Sequence, residues 1–314
     1  MNLNRFILFL QNVDGIGDSS IRKLILSNQF NGLSLESLDQ ALVWIKEHLS
    51  FFSKKEPILH LTIEDMKRAN LKRKQIEDKS SALGVKYISY FDENYPRRVK
   101  ESLMNKTPDF PIILYYLGDI SILNSERICS IIGTREPSSK AVSIGLELSK
   151  HMTKLDYVVI SGLAEGCDTL GHRGCLEENG KTVAIVGTGL DIVFPKSNEA
   201  LFKQIINNGG LAISEYPVGF NGAAYSFVQR DRLQASFSDV VIPIQTSVKG
   251  GTMHAAKAAV EKYGRKLYVV SPSLIDDGDC SGNKYLIKEY FAKEITSVEE
   301  LNFWFVASEL TSFN

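Results

Sequence analysis

The sequence predicts an α/β chain in which a doubly wound, mostly parallel sheet follows a small all-helical domain. Two patterns predict it. From Arg127 onward, short near-continuous apolar runs alternate with amphipathic stretches. Strands that are apolar on both faces belong to parallel sheets covered by helices on each side. Before that, apolar residues in the first 82 positions recur three or four apart, the period of a helix with one buried face.

Four N-terminal segments carry the helical period: RFILFLQNV, SSIRKLILSNQ, LDQALVWIKEHL and TIEDMKRANLKRKQIEDKSSALG. Thr62, three residues before Asp65, fits a cap at the start of the last. From Val85 the pattern turns to VKYISYFDENYPRRV and PIILYYLGD, short β-branched and aromatic runs broken by Pro and Asp. That shift divides a helical domain, 1–82, from an α/β domain, 83–314. The strands expected in the second are ICSIIG, YVVISG, TVAIVG, LAISEYP, VVIPIQ and KLYVVS. Between them KAVSIGLELSKHMTKL, TLGHRGCLEEN, NEALFKQIINNG and TMHAAKAAVEKYG are expected as helices, and SVKGGT and SFVQRDR as loops.

Composition narrows the function classes. Apolar residues at 44% and charged residues at 23% of 314 sit near the average of globular chains, which excludes fibrous and disordered classes. A formal net charge of -1 supplies no global attraction to a polyanion, so a nucleic-acid site is expected only as a local patch. Cys129, Cys167, Cys175 and Cys280 show neither CxxC nor His-rich spacing, so no metal site and no disulfide framework is indicated. The apolar run Phe6 to Leu10 is too short for a secretory signal, and no stretch approaches the roughly 20 apolar residues of a membrane span. No membrane contact is expected, and the chain is taken as cytoplasmic.

In a doubly wound sheet, ligands bind outside the carboxyl ends of the strands. Here those ends carry glycine and small hydroxyl residues. The first strand runs into Gly133, Thr134, Arg135 and then Ser138; the second into Ser161, Gly162, Leu163, Ala164 and Gly166; the third into Gly187 and Gly189. Such loops let backbone amides approach a phosphate, and helix N-termini add partial positive charge. Arg135 is then a candidate phosphate fork, joined by Arg230, Arg232 and the stretch Lys249, Gly250, Gly251 and Thr252. Glycine at a strand end is also plain turn chemistry, but several such loops meeting at one edge point to a ligand. Neither a Walker sequence nor GxGxxG is present, so no dinucleotide cofactor is indicated.

Catalytic constellations are thin. Asp168 and His172, four apart, suggest either a charge-paired imidazole or a capping carboxylate above a packed ring. No nucleophile has a base at a recognisable spacing. Near the N-terminus, Val13, Gly15, Ile16 and Gly17 fit the turn of a helix-hairpin-helix, or a simple tight turn, flanked by Asp14 and Asp18. The aromatic tail LNFWFVASEL fits an interface or a terminal segment packed on the core.

Taken in order, SIIGTREPSSKA, VVISGLAEGCDTLGHRGCL, VAIVGTGLDIVFPKSNEALFKQI, LAISEYPVG, SFVQRDRLQASFSDVVIP and GGTMHAAKAAVEKYGR resemble the DprA/Smf family of DNA-processing proteins across roughly residues 85–300. The resemblance implies a Rossmann-like domain that binds single-stranded DNA, forms a homodimer and hands the strand to a RecA-type recombinase during transformation. It also implies that the helical N-terminus is the family's helix-hairpin-helix or SAM-like domain. By motif, Arg135 and the arginines of VQRDR would hold backbone phosphates. Three departures from what the resemblance implies stand out: Asp231 replaces the family's usual Asn, Ser197 stands where a carboxylate is common, and a C-terminal winged-helix domain is not expected. A role in defence against foreign DNA is therefore the alternative to transformation.

Three functions compete at this stage. A binding module would hold phosphates at the loops and stack bases on Phe194 or Tyr225. A nucleotide or NAD N-glycosidase would need the glutamate that Ala255 replaces, with Glu215 as substitute. A scaffold sensing a small nucleotide would use the same loops. The first is the expectation.

Overall fold

The computed structural model describes residues 1–52, 56–104, 109–275 and 277–301; the aromatic tail lies almost wholly outside them. By its internal contacts the chain divides into two units, one comprising Met1–Tyr95 and Pro108–Tyr115, the other Pro96–Thr107 and Tyr116–Asn314.

The first unit holds helices α1 (Leu3–Leu10), α2 (Asp18–Leu26), α3 (Leu38–Glu47), a short α4 (Glu56–Leu59) and the long α5 (Ile63–Ala82), then strand β1 (Lys86–Ser89) beside the first half of β2 (Ile113–Gly118). Polar caps set the helix starts. Asn2 accepts from the Arg5 amide, and Ser37 with Gln40 and Thr62 with Asp65 close capping boxes. The apolar run Phe6 to Leu10 is buried, and Phe6, Phe30 and Trp44 pack as an aromatic cluster. Gly15 bends the chain between α1 and α2 with φ +90°, where a Cβ would also press on Ile58.

The second unit begins with α6 (Arg97–Met104) and continues through β3 (Ile128–Ile132), α7 (Ser139–Lys154), β4 (Val158–Ser161), α8 (Cys167–Glu177), β5 (Thr182–Ile185), α9 (Glu199–Asn207), β6 (Leu211–Ser214), α10 (Ala224–Ser236), β7 (Val240–Pro243), α11 (Thr252–Glu261), β8 (Lys266–Val270), α12 (Ser281–Tyr290) and β9 (Lys293–Ile295). Its strands stand in the order β6-β5-β4-β3-β7-β8-β9, all neighbours parallel. The fold is the Rossmann-like α/β class that the apolar strands predict.

Period-two alternation splits each strand between two cores. Cys129 and Ile131 of β3 and Val240 and Ile242 of β7 pack with Leu148 and Met152 of α7 on one face. Ile132 and Val241 face Met253, Ala255 and Ala259 of α11 on the other. Each fully buried aliphatic side chain contributes roughly 1.5–3 kcal/mol. At the amino ends of β3 and β7, Asp239 accepts from Arg98 through two 2.8 Å contacts and from the Ile128 amide at 2.9 Å. The opposite, carboxyl ends are left for a site.

One expected loop is a helix. SFVQRDR belongs to α10, and the reason it escapes the helical period is chemical: its buried stripe is polar, with Ser226, Arg230 and Gln234 four residues apart. Arg230 and Arg232 therefore act from a helix and not from a loop.

Candidate functional site

The strand order reverses at β3, with β4 to β6 to one side and β7 to β9 to the other. Such a switch point opens a crevice at the carboxyl ends of the central strands. Here a cavity of about 550 Å³ lies between the loop after β3 and the loop after β7.

The loop after β3 is clamped so that Arg135 projects. Gly133 lies so close to Cys167 and the Gln245 carbonyl that no Cβ fits. The Thr134 amide donates to the Gln245 carbonyl at 2.7 Å, and the Thr134 carbonyl accepts from the Cys167 amide at 3.0 Å. Gly166 enters α8 with φ +73°, and a side chain there would collide with the Thr134 and Arg135 carbonyls. Ser138 caps α7, and its amide donates to Gln245 Oε1 at 2.9 Å. Arg135 itself is exposed on the cavity wall, and its side chain makes no hydrogen bond or ion pair among the described residues.

Arg230 reaches the same cavity from α10, buried at 6% exposure. Its guanidinium occupies the space over Gly162, which any side chain there would claim. With the Gln234 amide oriented as its neighbours require, Oε1 accepts from Arg230 Nη1 at 2.6 Å and from the Gly162 amide at 3.1 Å. Asp168 Oδ2 lies 3.6 Å from Nη1 and accepts from the Gly162 and Ala164 amides at 3.0 and 3.4 Å. Burial pushes the Asp168 carboxyl up against the pull of Arg230. Asp231 Oδ1 stands 3.4 Å from Arg230 Nε, a nitrogen with no hydrogen-bond acceptor. Gly250, Gly251 and Thr252, leading into α11, complete the wall, adding the partial positive charge of a helix N-terminus.

A smaller pocket adjoins it, sharing Arg135, Ala164 and Arg230 and adding Gly162, Phe194 and Phe227. Phe194 is 48% exposed and its ring centroid lies 5.2 Å from that of Phe227. Tyr225 is exposed further along α10, edge-on to Tyr216 and Phe220.

Several sequence candidates fall outside the cavity. Arg232 is buried and forks onto Glu215, Nη1 to Oε2 at 2.6 Å and Nη2 to Oε1 at 2.7 Å, so it is a structural pair and not a cavity cation. The same pair occupies Glu215, removing it as a catalytic substitute. Ser161 Oγ donates to the Ile131 carbonyl at 2.6 Å, and Leu163 is buried with its carbonyl bonded to Asn198 Nδ2. Gly187 is covered by Phe227, and the Gly189 amide donates to the Phe220 carbonyl at 2.8 Å, so that loop turns inward. Lys249 is exposed but does not line the cavity. His172 does not pair with Asp168: fully buried, it bonds Thr182 Oγ1 at 2.7 Å, and burial lowers it to about 3. Gln245, Thr246 and Asp279, which also line the cavity, carried no motif, and their position just past β7 or before α12 was the signal available; Asp231, singled out in the sequence as a departure within VQRDR, lines it too.

Among the described residues no cluster of His, Cys, Asp and Glu could hold a metal ion, and no helix is long and apolar enough to cross a membrane.

Comparisons with known proteins identify the family and the fold. A family model described as DNA recombination-mediator protein A matches residues 86–303. Protein Smf of Synechocystis is 34% identical over 207 residues, 64% of this chain and 50% of the relative, so the match spans about half that protein's length. DNA processing protein DprA of Streptococcus pneumoniae is 32% identical over 214 residues, 68% of this chain and 72% of the relative. A solved structure of DNA processing protein A from that species aligns with a TM-score of 0.75 at 23% identity, over 96% of this chain and 98% of that one. The DNA processing protein A of Helicobacter pylori, solved for its single-stranded DNA binding mode, aligns with a TM-score of 0.61 at 26% identity, over 71% of this chain and 96% of that one. The chain belongs to the DNA recombination-mediator protein A family.

Proposed function

We propose that the cavity at the carboxyl ends of β3 and β7 binds the phosphate backbone of single-stranded DNA, and that the protein processes such strands in the cytoplasm as a homodimer handing them to a RecA-type recombinase. The observation that carries the reading is Arg135, an exposed guanidinium that makes no hydrogen bond or ion pair among the described residues, at the switch point and lining the same cavity as the N-terminus of α11. One feature favours a single strand over a duplex: the adjoining Phe194–Phe227 pair offers a ring face that only an unpaired base can stack on. The H. pylori relative, whose structure describes a single-stranded DNA binding mode, supports the ligand class. No hydrolytic step is part of the proposal, because Glu215 is held by Arg232.

The test is titration of single- and double-stranded oligonucleotides by fluorescence anisotropy at several salt concentrations. The expected result is preference for the single strand, with log K falling against log salt by about 0.7 for each phosphate neutralised. Equal affinity for duplex, or an affinity indifferent to salt, would overturn the reading. The handover is tested by adding a RecA-type recombinase to strands coated with the protein, and the dimer by sedimentation equilibrium.

A further inference from the structure

We infer that Asp231 couples DNA binding in this cavity to the uptake of a proton, an inference that rests on the phosphate-binding reading above. Asp231 lines the cavity together with Arg135, Arg230 and the Gly250–Thr252 turn. Its side chain is 17% exposed, with Oδ1 3.4 Å from Arg230 Nε. Oδ2 lies 4.0 Å from where a Cβ on Gly251 would stand. The carboxylate is thus set between the buried guanidinium and the first turn of α11, where the groups that attract an anion converge. Ionised, it repels a phosphate entering that space. Protonated, it loses the repulsion and gains an O–H that can donate to a phosphate oxygen.

The charges facing it come from four elements. Arg230 lies beside it on α10, Asp168 faces it from α8, Arg135 and Glu136 line the cavity from the loop after β3, and Asp279 does so ahead of α12. The first turn of α11 adds no charged side chain to the lining. Burial, with repulsion from Asp168, outweighs the attraction of Arg230 and Arg135 and holds the Asp231 carboxyl up at about 6. Asp168 is also raised, by burial, but its Oδ2 is bonded to two backbone amides, while Asp279 is lowered by its bonds from Ser281. A bound phosphate diester, whose own charge does not titrate, raises Asp231 further. The sign follows from linkage: the protonated carboxyl binds better, so affinity rises as pH falls toward 6 and levels off below the value of the free protein.

The experiment measures the affinity of wild type and Asp231→Asn for an oligothymidine strand without terminal phosphates, labelled with a dye insensitive to pH, at constant ionic strength. Across about pH 8 to about pH 5.5, wild-type affinity is expected to rise by up to about tenfold per pH unit. The isosteric variant is expected to show a flat profile and to bind more tightly than wild type at the alkaline end. Equal slopes in the two proteins would overturn the inference and leave the DNA-binding reading standing. Absence of binding by wild type at every pH would overturn both. Thermal unfolding at each pH confirms that the variant is folded. Calorimetry in two buffers of different ionisation heat gives an independent readout: wild type takes up protons on binding and Asp231→Asn does not, and identical heats for wild type in both buffers would overturn the inference.

Discussion

Arg230 and Arg232 stand two residues apart on α10, both buried to the same degree, and the two sides of the helix give them different work. On one side Arg232 meets Glu215 in a bidentate pair at 2.6 and 2.7 Å. That geometry satisfies the charge within the protein. On the other side the carboxylates nearest Arg230 are 3.4 and 3.6 Å away, and its hydrogen bond goes to the neutral Gln234. That guanidinium lines the cavity with its charge only partly answered. Burial alone therefore does not separate a structural arginine from one available to a ligand; the geometry of its partners does.

Removing either arginine should separate these roles. The largest effect is expected for Arg232→Ala, which takes the bidentate partner from Glu215, a carboxylate only 14% exposed; loss of one partner of such a pair costs about 3–5 kcal/mol when buried. Urea unfolding should show that loss, while the folded fraction binds DNA as wild type does. Arg230→Ala should cost about 1–3 kcal/mol, since its bonds go to Gln234 and to a longer ion pair, and should also weaken DNA binding at least tenfold. If it lowers only stability, the two sides of α10 do not differ as described.

Asp231→Asn should act in the opposite direction. Folding raises this carboxyl from 3.8 to about 6, so the ionised form destabilises the native state increasingly as pH climbs between those values and fully above them. At one pH unit per about 1.4 kcal/mol, the variant should be more stable than wild type by up to about 2–3 kcal/mol at neutral pH. The advantage should shrink as pH falls below 6. Unfolding midpoints at neutral and acidic pH check this, and a constant difference would contradict it. The smallest effect is expected for Lys249→Ala: an exposed cation off the cavity wall should change stability by less than about 0.5 kcal/mol and the salt slope by no more than about 0.7.

Much of this architecture is legible in the sequence. The strands β3 to β8 are apolar on both faces, so their runs stand out without alignment. β9 spans three residues, of which one is buried, too little for any periodic signal. α10 hides because its buried stripe is Ser226, Arg230 and Gln234 rather than aliphatic. The loops after β3 and β5 show a similar limit. Both follow an apolar strand with glycine and threonine, yet the first carries Arg135 to the cavity while in the second Thr188 is buried and bonds the Ile192 carbonyl. Composition marks where the backbone can come close to something. Whether that something is a ligand or Phe227 depends on packing from residues 40 positions away.

Arg135 is the decisive position, because it is a charge in the cavity that the fold itself does not require. The most direct measurement compares Arg135→Ala with Arg232→Ala for both unfolding free energy and single-stranded DNA affinity. The account predicts that Arg135→Ala unfolds like wild type but binds about 10- to 100-fold more weakly, with a shallower salt slope, the worth of a charged hydrogen bond or two. Arg232→Ala should show the reverse. Undiminished binding by a folded Arg135→Ala protein would contradict the assignment of the cavity to DNA phosphate.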